Sequence, residues 1–307
     1  MHRAREPAHV GELVEEQARR LAAAPLAYGH GTDNPLDEAA ALVFHALGIA
    51  HSAAPEAYRW AVDARGIARA RALVARRIRE RVPFAYLTGL TWFAGHEIEV
   101  TPDVLVPRSP IAELCERRFE PWVRPAHVRR VVDIGTGSGC IAIACAHAFP
   151  SACVDAADLS HRALEVAARN IRRHRLERRV RPVLSNVYGG LGGARYDIVV
   201  SNPPYVPERE VDRLPEEYRH EPRLGLAAGR AGLDVVARIL DGAGAHLADE
   251  GILVIEVGDS QPAVERRWPG VPFTWLEFER GGGGVLLLTA EQVRRHRRAL
   301  RLPVRGH

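Results

Sequence analysis

The sequence predicts an α/β fold, in which a mostly parallel sheet wrapped by helices ends in an antiparallel hairpin and is preceded by a small all-helical domain. Three observations carry this reading. Between Val10 and about Val82, apolar residues recur three and four apart, the spacing of one face of a helix. From Val128 onward, short apolar runs alternate with helical stretches, as they do when each strand of a parallel sheet returns through a helix. The last two apolar runs are joined by Gly281 to Gly284, which reads as a hairpin turn.

In chain order, the helical signals are VGELVEEQARRLA, LDEAAALVFHALGI and IARARALVARRIRERV. Asp33, or Asn34 with Pro35 beside it, supplies a start for the second helix, and Gly48 a stop. After Pro83 the texture changes to FAYLTGLTWFAGHEIEVTPDVLVP, where aromatic and β-branched residues alternate with polar ones around Gly95, predicting a β-hairpin connector. The strands expected next are VRRVVDIG, ACVDAADL, RPVLSN, YDIVVSN and GILVIEV, followed by FTWLEFE and GVLLLTA. The expected organisation is therefore a helical domain over 1–84, a hairpin linker over 85–108, the α/β domain over 109–290 and a basic tail over 291–307.

Composition narrows the function classes. With 307 residues, 47% hydrophobic and 26% charged, the chain has a globular balance that excludes wholesale disorder and suits one ordinary domain plus a smaller one. No apolar run approaches the roughly 18 positions of a spanning helix, so no membrane partner is expected. The charged N-terminus lacks the apolar middle of a signal peptide, and a cytoplasmic location is the expectation. Cys115, Cys140, Cys145 and Cys153 form no C-x-x-C pair and read as buried small hydrophobes. No two His lie near them at ligand spacing, so no metal site is expected. All 42 basic residues are Arg, which removes lysine-based chemistry. Net charge is +4, but the last 17 residues hold six Arg against one acid, leaving the rest almost neutral. That tail suits either ribosomal RNA or a solvated terminal helix.

The first strand of the α/β region ends in Asp133-Ile134-Gly135-Thr136-Gly137-Ser138-Gly139, and a helix begins near Cys140. Glycines at this turn let the backbone approach a ligand at the carboxyl edge of the sheet, where open α/β folds bind. Nineteen residues after Gly139, Asp158 closes the second strand, where a carboxylate suits the two hydroxyls of a ribose; a helix cap before HRALEVAARN is the competing role. The loop is neither G-x-x-x-x-G-K-[ST] nor G-x-G-x-x-G, which disfavours ATP and dinucleotides. A nucleoside ligand without pyrophosphate remains, and S-adenosylmethionine fits.

The fourth strand runs into Asn202-Pro203-Pro204-Tyr205 at the same edge. Two prolines fix φ and donate no N–H, leaving carbonyls free to face a ligand. Asn202 adds a neutral side-chain oxygen, and Tyr205 a flat aromatic face with a polar tip. A rigid loop is the alternative. An amide nitrogen is a poor nucleophile because its lone pair is delocalised. Acceptors holding both its N–H groups favour pyramidalisation and stabilise positive charge developing in the transition state. Asn202 and the Pro203 carbonyl are the candidates, with in-line positioning supplying up to about 7 to 11 kcal/mol.

These motifs resemble the protein glutamine-N5 methyltransferase family: a helical N-terminal substrate-docking domain, a β-hairpin linker, and a seven-stranded class I (Rossmann-like) S-adenosylmethionine-dependent methyltransferase domain carrying DIGTGSG and NPPY. The resemblance covers nearly the whole chain. FAYLTGLTWFAG, VLVPRSPIAEL, EPRLGLAAGRAGLD and PFTWLEFERGGGGVLLLTAEQV look like the branch that methylates large-subunit ribosomal protein three, whereas the release-factor branch usually has P-R-P-D-T-E where this chain has Pro107 to Glu113. By resemblance, Gly135, Thr136, Gly137, Ser138 and Gly139 hold the methionine end, Asp158 the ribose, and Asn186 and Val187 the adenine side. Asn202, Pro203, Pro204 and Tyr205 grip the target glutamine, with Asn202 also bordering the cofactor. The family often has Asp where Asn186 stands. Arg108 and Ser109 either wall the substrate pocket or form a helix-start turn, and the run Arg172 to Arg181 reads as a solvated helix end.

Other readings stay open on sequence alone: a release-factor glutamine methyltransferase, a DNA adenine or ribosomal RNA guanine methyltransferase, or a non-enzymatic ribosome-assembly factor. Base flipping needs a nucleic-acid-gripping surface, which the near-neutral body argues against.

Overall fold

The computed structural model describes residues 6–302. They form two compact units, one of residues up to Thr91 together with Pro215–His220, the other of Trp92–Leu214 together with residues from Glu221 onward.

The first unit is helical: α1 (Val10–Ala22), α2 (Pro35–Leu47), α3 (Ala64–Glu80) and the short α4 (Phe84–Thr88). Its core forms because Leu13, Val14 and Leu21, Leu42 and Val43, and Ile67, Ala70 and Val74 fall on the inner faces. Asn34 caps α2, its side chain accepting from the N–H groups of Leu36 and Asp37, with Pro35 in the first turn and Gly48 closing the helix at φ 68. Arg77 is only 1% exposed and donates to Glu38 at 2.6 Å and to Glu217 at 3.1 Å. Arg81 adds a bidentate pair to Glu217 at 2.7 and 2.8 Å. Burial alone would raise the Glu217 pKa, but the Arg81 bonds, the backbone N–H groups of Glu217 and Ala27, and Arg77 outweigh it and pull the carboxyl down to about 2.

The boundary between the units falls within β1 (Leu90–Phe93), which turns through Ala94 and Gly95, both at positive φ, into β2 (His96–Glu99). The segment from Phe84 to Thr88, expected as part of the hairpin connector, is the helix α4 instead. Gly89, at φ 73, ends that helix directly before β1.

The second unit continues with α5 (Ile111–Glu116), β3 (Arg130–Ile134), α6 (Cys140–Ala148), β4 (Cys153–Asp158), α7 (His161–Arg173), β5 (Val180–Leu184) and β6 (Tyr196–Ser201). Next come α8 (Glu208–Val211), α9 (Arg223–Leu226), α10 (Asp234–His246), β7 (Leu247–Glu256), α11 (Gln261–Arg267), β8 (Thr274–Leu276), β9 (Val285–Thr289), α12 (Ala290–Arg295) and α13 (Arg297–Leu300). The strands form one seven-stranded sheet in the order β5-β4-β3-β6-β7-β9-β8. β3 to β7 run parallel and β9 antiparallel to both β7 and β8. Val131, Val132, Ile198 to Val200 and Ile252 to Ile255 are all buried, because helices cover both faces of the central strands.

Several expectations change in detail. FTWLEFE pairs only over Thr274–Leu276, because the backbone N–H groups of Glu279 and Arg280 donate instead to the Glu113 carboxylate on α5. Cys115, Cys140 and Cys145 are buried, but Cys153, at the start of β4, is exposed. In the Arg-rich run, Arg173 pairs with Glu97, Arg179 donates to the α6 carbonyl of Ala146 at 2.7 Å, and Arg181 donates to Asp155 at 2.9 Å. The described part of the basic tail is helical and buries Val293 and Leu300 in the core. Residues 303–307 lie outside the described residues. No helix among the described residues is long and apolar enough to cross a membrane.

Candidate active site

The strand order places the site. From β3 the chain builds outward through β4 and β5, then returns to add β6 and β7 on the other side, so the order reverses between β3 and β6. A crevice opens at such a reversal, outside the carboxyl ends of the strands. Ile134 and Ser201 are register partners, and the Ser201 hydroxyl donates to the Ile134 carbonyl at 2.6 Å. The next residues on these strands are Gly135 and Asn202. A Cβ on Gly135 would lie 3.9 Å from the Asn202 carbonyl oxygen and 4.0 Å from the Pro203 Cα.

The glycine loop is built for close approach. Gly135, Gly137 and Gly139 all have positive φ, and nothing lies within 4 Å of a Cβ position on Gly137. Gly139 starts α6 and packs against Ala167 of α7, where a Cβ would come within 3.2 Å. Beneath the loop, Asp133 Oδ2 accepts from the Thr136 hydroxyl at 2.6 Å and the Ala142 N–H at 3.1 Å. Its other oxygen is buried without a partner. Burial pushes the Asp133 carboxyl up to about 7 despite the two donors.

Asp158 ends β4 on the other side of β3. Its carboxylate accepts from the Gly137 N–H and the Ser160 N–H, both at 2.9 Å. The helix-cap role open on sequence belongs to Ser160, whose hydroxyl accepts from Ala163 at the start of α7. Asp158 is thereby held beside the loop, its pKa raised by burial against those hydrogen bonds. The structure thus brings residues 135–139, Asp158 and Asn202 to adjacent positions along one sheet edge.

Asn186 and Val187 follow β5, next to β4, with the Ser185 N–H donating to the Asp158 carbonyl at 2.8 Å. Their side chains go elsewhere. Asn186 is exposed and accepts from Arg238 at 2.5 Å, while Val187 is packed in the apolar core. Val187 has φ 58, a costly conformation for a β-branched residue. Any ligand contact near Val187 falls to its backbone.

At the other end of the tetrapeptide, Tyr205 is clamped. Its hydroxyl donates to Glu256 Oε1 at 3.0 Å, and its carbonyl accepts from the Ser260 hydroxyl at 2.9 Å. A Cβ on Gly258 would lie 2.8 Å from the ring, and one on Gly232 2.4 Å from the Tyr205 carbonyl oxygen. Glu256, at the end of β7, is 3% exposed and also accepts from the Ser109 hydroxyl. Burial raises its pKa to about 7, with the Ser109 and Tyr205 bonds and the Arg108 charge opposing. Arg108 makes a bidentate pair with Glu221 at 2.6 Å on both arms. A cleft of about 550 Å³ is lined by Arg108, Tyr205, Glu256 and Gly282 to Gly284, among others. Arg108 thus lines a cleft, and the Ser109 hydroxyl accepts from the Ile111 N–H that starts α5, as a helix-start turn requires.

Glu256 and Glu221 were not singled out by sequence. The one available signal was an acid at the carboxyl end of the apolar run GILVIEV, and it gave no partner.

The family model described as methyltransferase small domain matches residues 120–216. A Bordetella pertussis protein named ribosomal protein uL3 glutamine methyltransferase is 45% identical over 287 residues, covering 92% of this chain and 95% of that protein. A Xylella fastidiosa protein of the same name is 46% identical over 293 residues, covering 93% and 91%. Among solved structures, the hMettl16 catalytic domain in complex with a MAT2A 3′UTR hairpin aligns with TM-score 0.50 and 19% identity over 73% of this chain and 80% of that one, a likeness of fold alone. Identity near 45% sustained across both units, with a methyltransferase model on the segment that joins the glycine loop to Asn202–Tyr205, makes the chain an enzyme and a member of the ribosomal protein uL3 glutamine methyltransferase family.

Proposed function

We propose that this methyltransferase transfers a methyl group from S-adenosylmethionine to the side-chain amide nitrogen of a glutamine in ribosomal protein uL3. The observation that carries the reading is the position of the Asn202 carbonyl, 3.9 Å from where a Cβ on Gly135 would sit: the acceptor-rich corner and the glycine loop are neighbours. The substrate follows the name shared by relatives aligned over nine-tenths of the chain.

The residues suit the donor. The open space over Gly137 admits a ligand against the backbone, and the buried Asp133 oxygen lacks a hydrogen-bond donor of the kind an α-ammonium supplies. In this reading Gly135, Thr136, Gly137, Ser138 and Gly139 hold the methionine end and Asp158 accepts from the ribose hydroxyls. The backbone of Asn186 and Val187 borders the adenine. Bound there, S-adenosylmethionine supplies an electrophilic methyl carbon on a charged sulfur.

The chain's own contribution is to prepare the nitrogen. The Asn202 side-chain oxygen and the Pro203 carbonyl accept the two amide N–H groups and favour the pyramidal geometry in which the lone pair is free. Proline at 203 and 204 removes competing N–H donors from this corner. Tyr205 contributes its ring face, because its hydroxyl is committed to Glu256. No strong base is required, since the proton becomes acidic only once the nitrogen carries positive charge.

Incubating the enzyme with labelled S-adenosylmethionine and either uL3 or a peptide chain release factor, then mapping the modified residue, tests the reading. Label on a uL3 glutamine is expected. Label on release factor alone overturns the substrate, and failure to bind the donor overturns the site.

A further inference from the structure

The opposite edge of the sheet carries a constellation that methyl transfer does not use. His147 lies in the last turn of α6, His174 is the residue at which α7 ends, and His96 begins β2 directly after the Gly95 turn. One ring nitrogen from each lies within 4.8 Å of the other two. The rings of His96 and His147 stack at 4.3 Å, and His174 meets both edge-on, at 5.7 and 5.4 Å. Because α6 and α7 begin at the carboxyl edge of the sheet and run back, their ends lie about 14 and 20 Å from that edge, the lengths of a nine- and a thirteen-residue helix.

We propose that His96, His147 and His174 form a binding site for a divalent transition-metal ion of the zinc class, which ties the hairpin strand β2 to the ends of α6 and α7. Three imidazoles suit such ions and leave a coordination position for water. Two of the three sit at helix C-termini, where the partial negative charge of the unpaired carbonyls favours a cation. The frame is rigid where it needs to be. Asn170 of α7, fully buried, accepts from the Glu99 N–H at 2.7 Å and donates to the Glu99 carbonyl at 2.8 Å, locking β2 against α7. His174 Nε2 lies 2.8 Å from the Glu97 carbonyl. Donating its proton there, the ring keeps its lone pair on Nδ1 for a metal, with its other N–H held by a backbone carbonyl as metal-ligating histidines commonly are. Zn–N bonds of about 2.0 to 2.1 Å require the nitrogens to close to roughly 3.3 Å. His147, which is exposed, has room to make that movement by side-chain rotation.

The test uses the full chain, stripped with a chelator, at pH 7.5. Titration with Co²⁺ is expected to give the visible absorption of a low-symmetry nitrogen-ligated complex, saturating at one equivalent and displaced by Zn²⁺. Zn²⁺ should also raise the Tm. His147→Gln keeps the fold, since that side chain is exposed, and should weaken binding by at least the roughly 10- to 100-fold that losing an outer partner costs. Replacing all three histidines by Gln should abolish the cobalt spectrum, while His147→Gln leaves methyl transfer unchanged. Absence of the spectrum overturns the proposal. So does saturation only at millimolar metal, or a spectrum of the same strength in the triple variant.

Discussion

Asn202 and Tyr205 belong to one tetrapeptide but make different demands on their surroundings. In the proposed mechanism Asn202 acts through an oxygen whose acceptor strength matters as the amide nitrogen pyramidalises. Asn202→Ala should therefore lower kcat by about 100- to 1,000-fold while changing the Kd for S-adenosylmethionine only a few-fold. Single-turnover rates beside equilibrium binding measure the two separately, and loss of binding with an intact rate contradicts the role. Tyr205 is held by Glu256, Ser260, Gly232 and Gly258, which in the proposed mechanism leaves its ring as the working part. Tyr205→Phe keeps that ring and should cost about 1 to 2 kcal/mol in denaturant unfolding with less than a tenfold drop in kcat, whereas Tyr205→Ala should nearly abolish turnover. Asn202 and Tyr205 can be proposed from sequence because they lie in one tetrapeptide of distinctive chemistry, and the structure sets that tetrapeptide beside the glycine loop. The sequence hid Glu256, whose partners Ser109 and Tyr205 are 147 and 51 residues away. It also hid the three histidines, which only helix ends and a hairpin bring together.

Elements show where pattern suffices and where packing overrides it. The apolar runs of β3 to β7 were readable because a parallel strand covered on both faces is apolar throughout. β8 is shorter than its apolar pattern predicts, and a carboxylate on α5, far away in sequence, takes the N–H groups of Glu279 and Arg280 beyond it. Glycine carries part of the site through the backbone alone. A methyl on Gly258 would meet the Tyr205 ring at 2.8 Å, at a residue with φ 47. Gly258→Ala should displace the ring and depress kcat with donor binding retained, a split that binding and rate measurements on the same preparation reveal. In the helical unit, Glu217 accepts from both Arg77 and Arg81 on or next to α3, and removing it takes one of the two carboxylate partners of Arg77, whose side chain is 1% exposed and keeps Glu38. Glu217→Ala should cost roughly 1 to 3 kcal/mol in urea unfolding, the penalty of buried guanidinium donors left without an acceptor rather than of an unpaired charge.

Across the whole molecule, buried acids of opposite character set how stability depends on pH. Glu217 is held down to about 2 in the folded chain against an ordinary 4.5, so its contribution is present above 4.5 and is lost as pH falls toward 2. Glu256 is raised from 4.5 to about 7, and Asp133 from 3.8 to about 7. Between these values the folded chain binds protons that the unfolded chain has released, so the stability these two acids supply when protonated is lost as pH rises toward and through 7. Glu256 ends β7 and Asp133 is the next-to-last residue of β3, so the edge that carries the candidate site grows more costly to maintain as it ionises. Glu256→Gln separates one acid from the rest, because every other titrating group is common to both proteins and cancels in the difference. The stability of the parent relative to Glu256→Gln should fall by on the order of 3 kcal/mol between pH 4.5 and pH 8, with most of the change complete by about pH 7. Urea unfolding of both proteins at half-unit pH steps measures it. A difference that stays flat across this range shows that Glu256 ionises in the folded chain as it does in the unfolded one, and removes it from the account of the reactive edge.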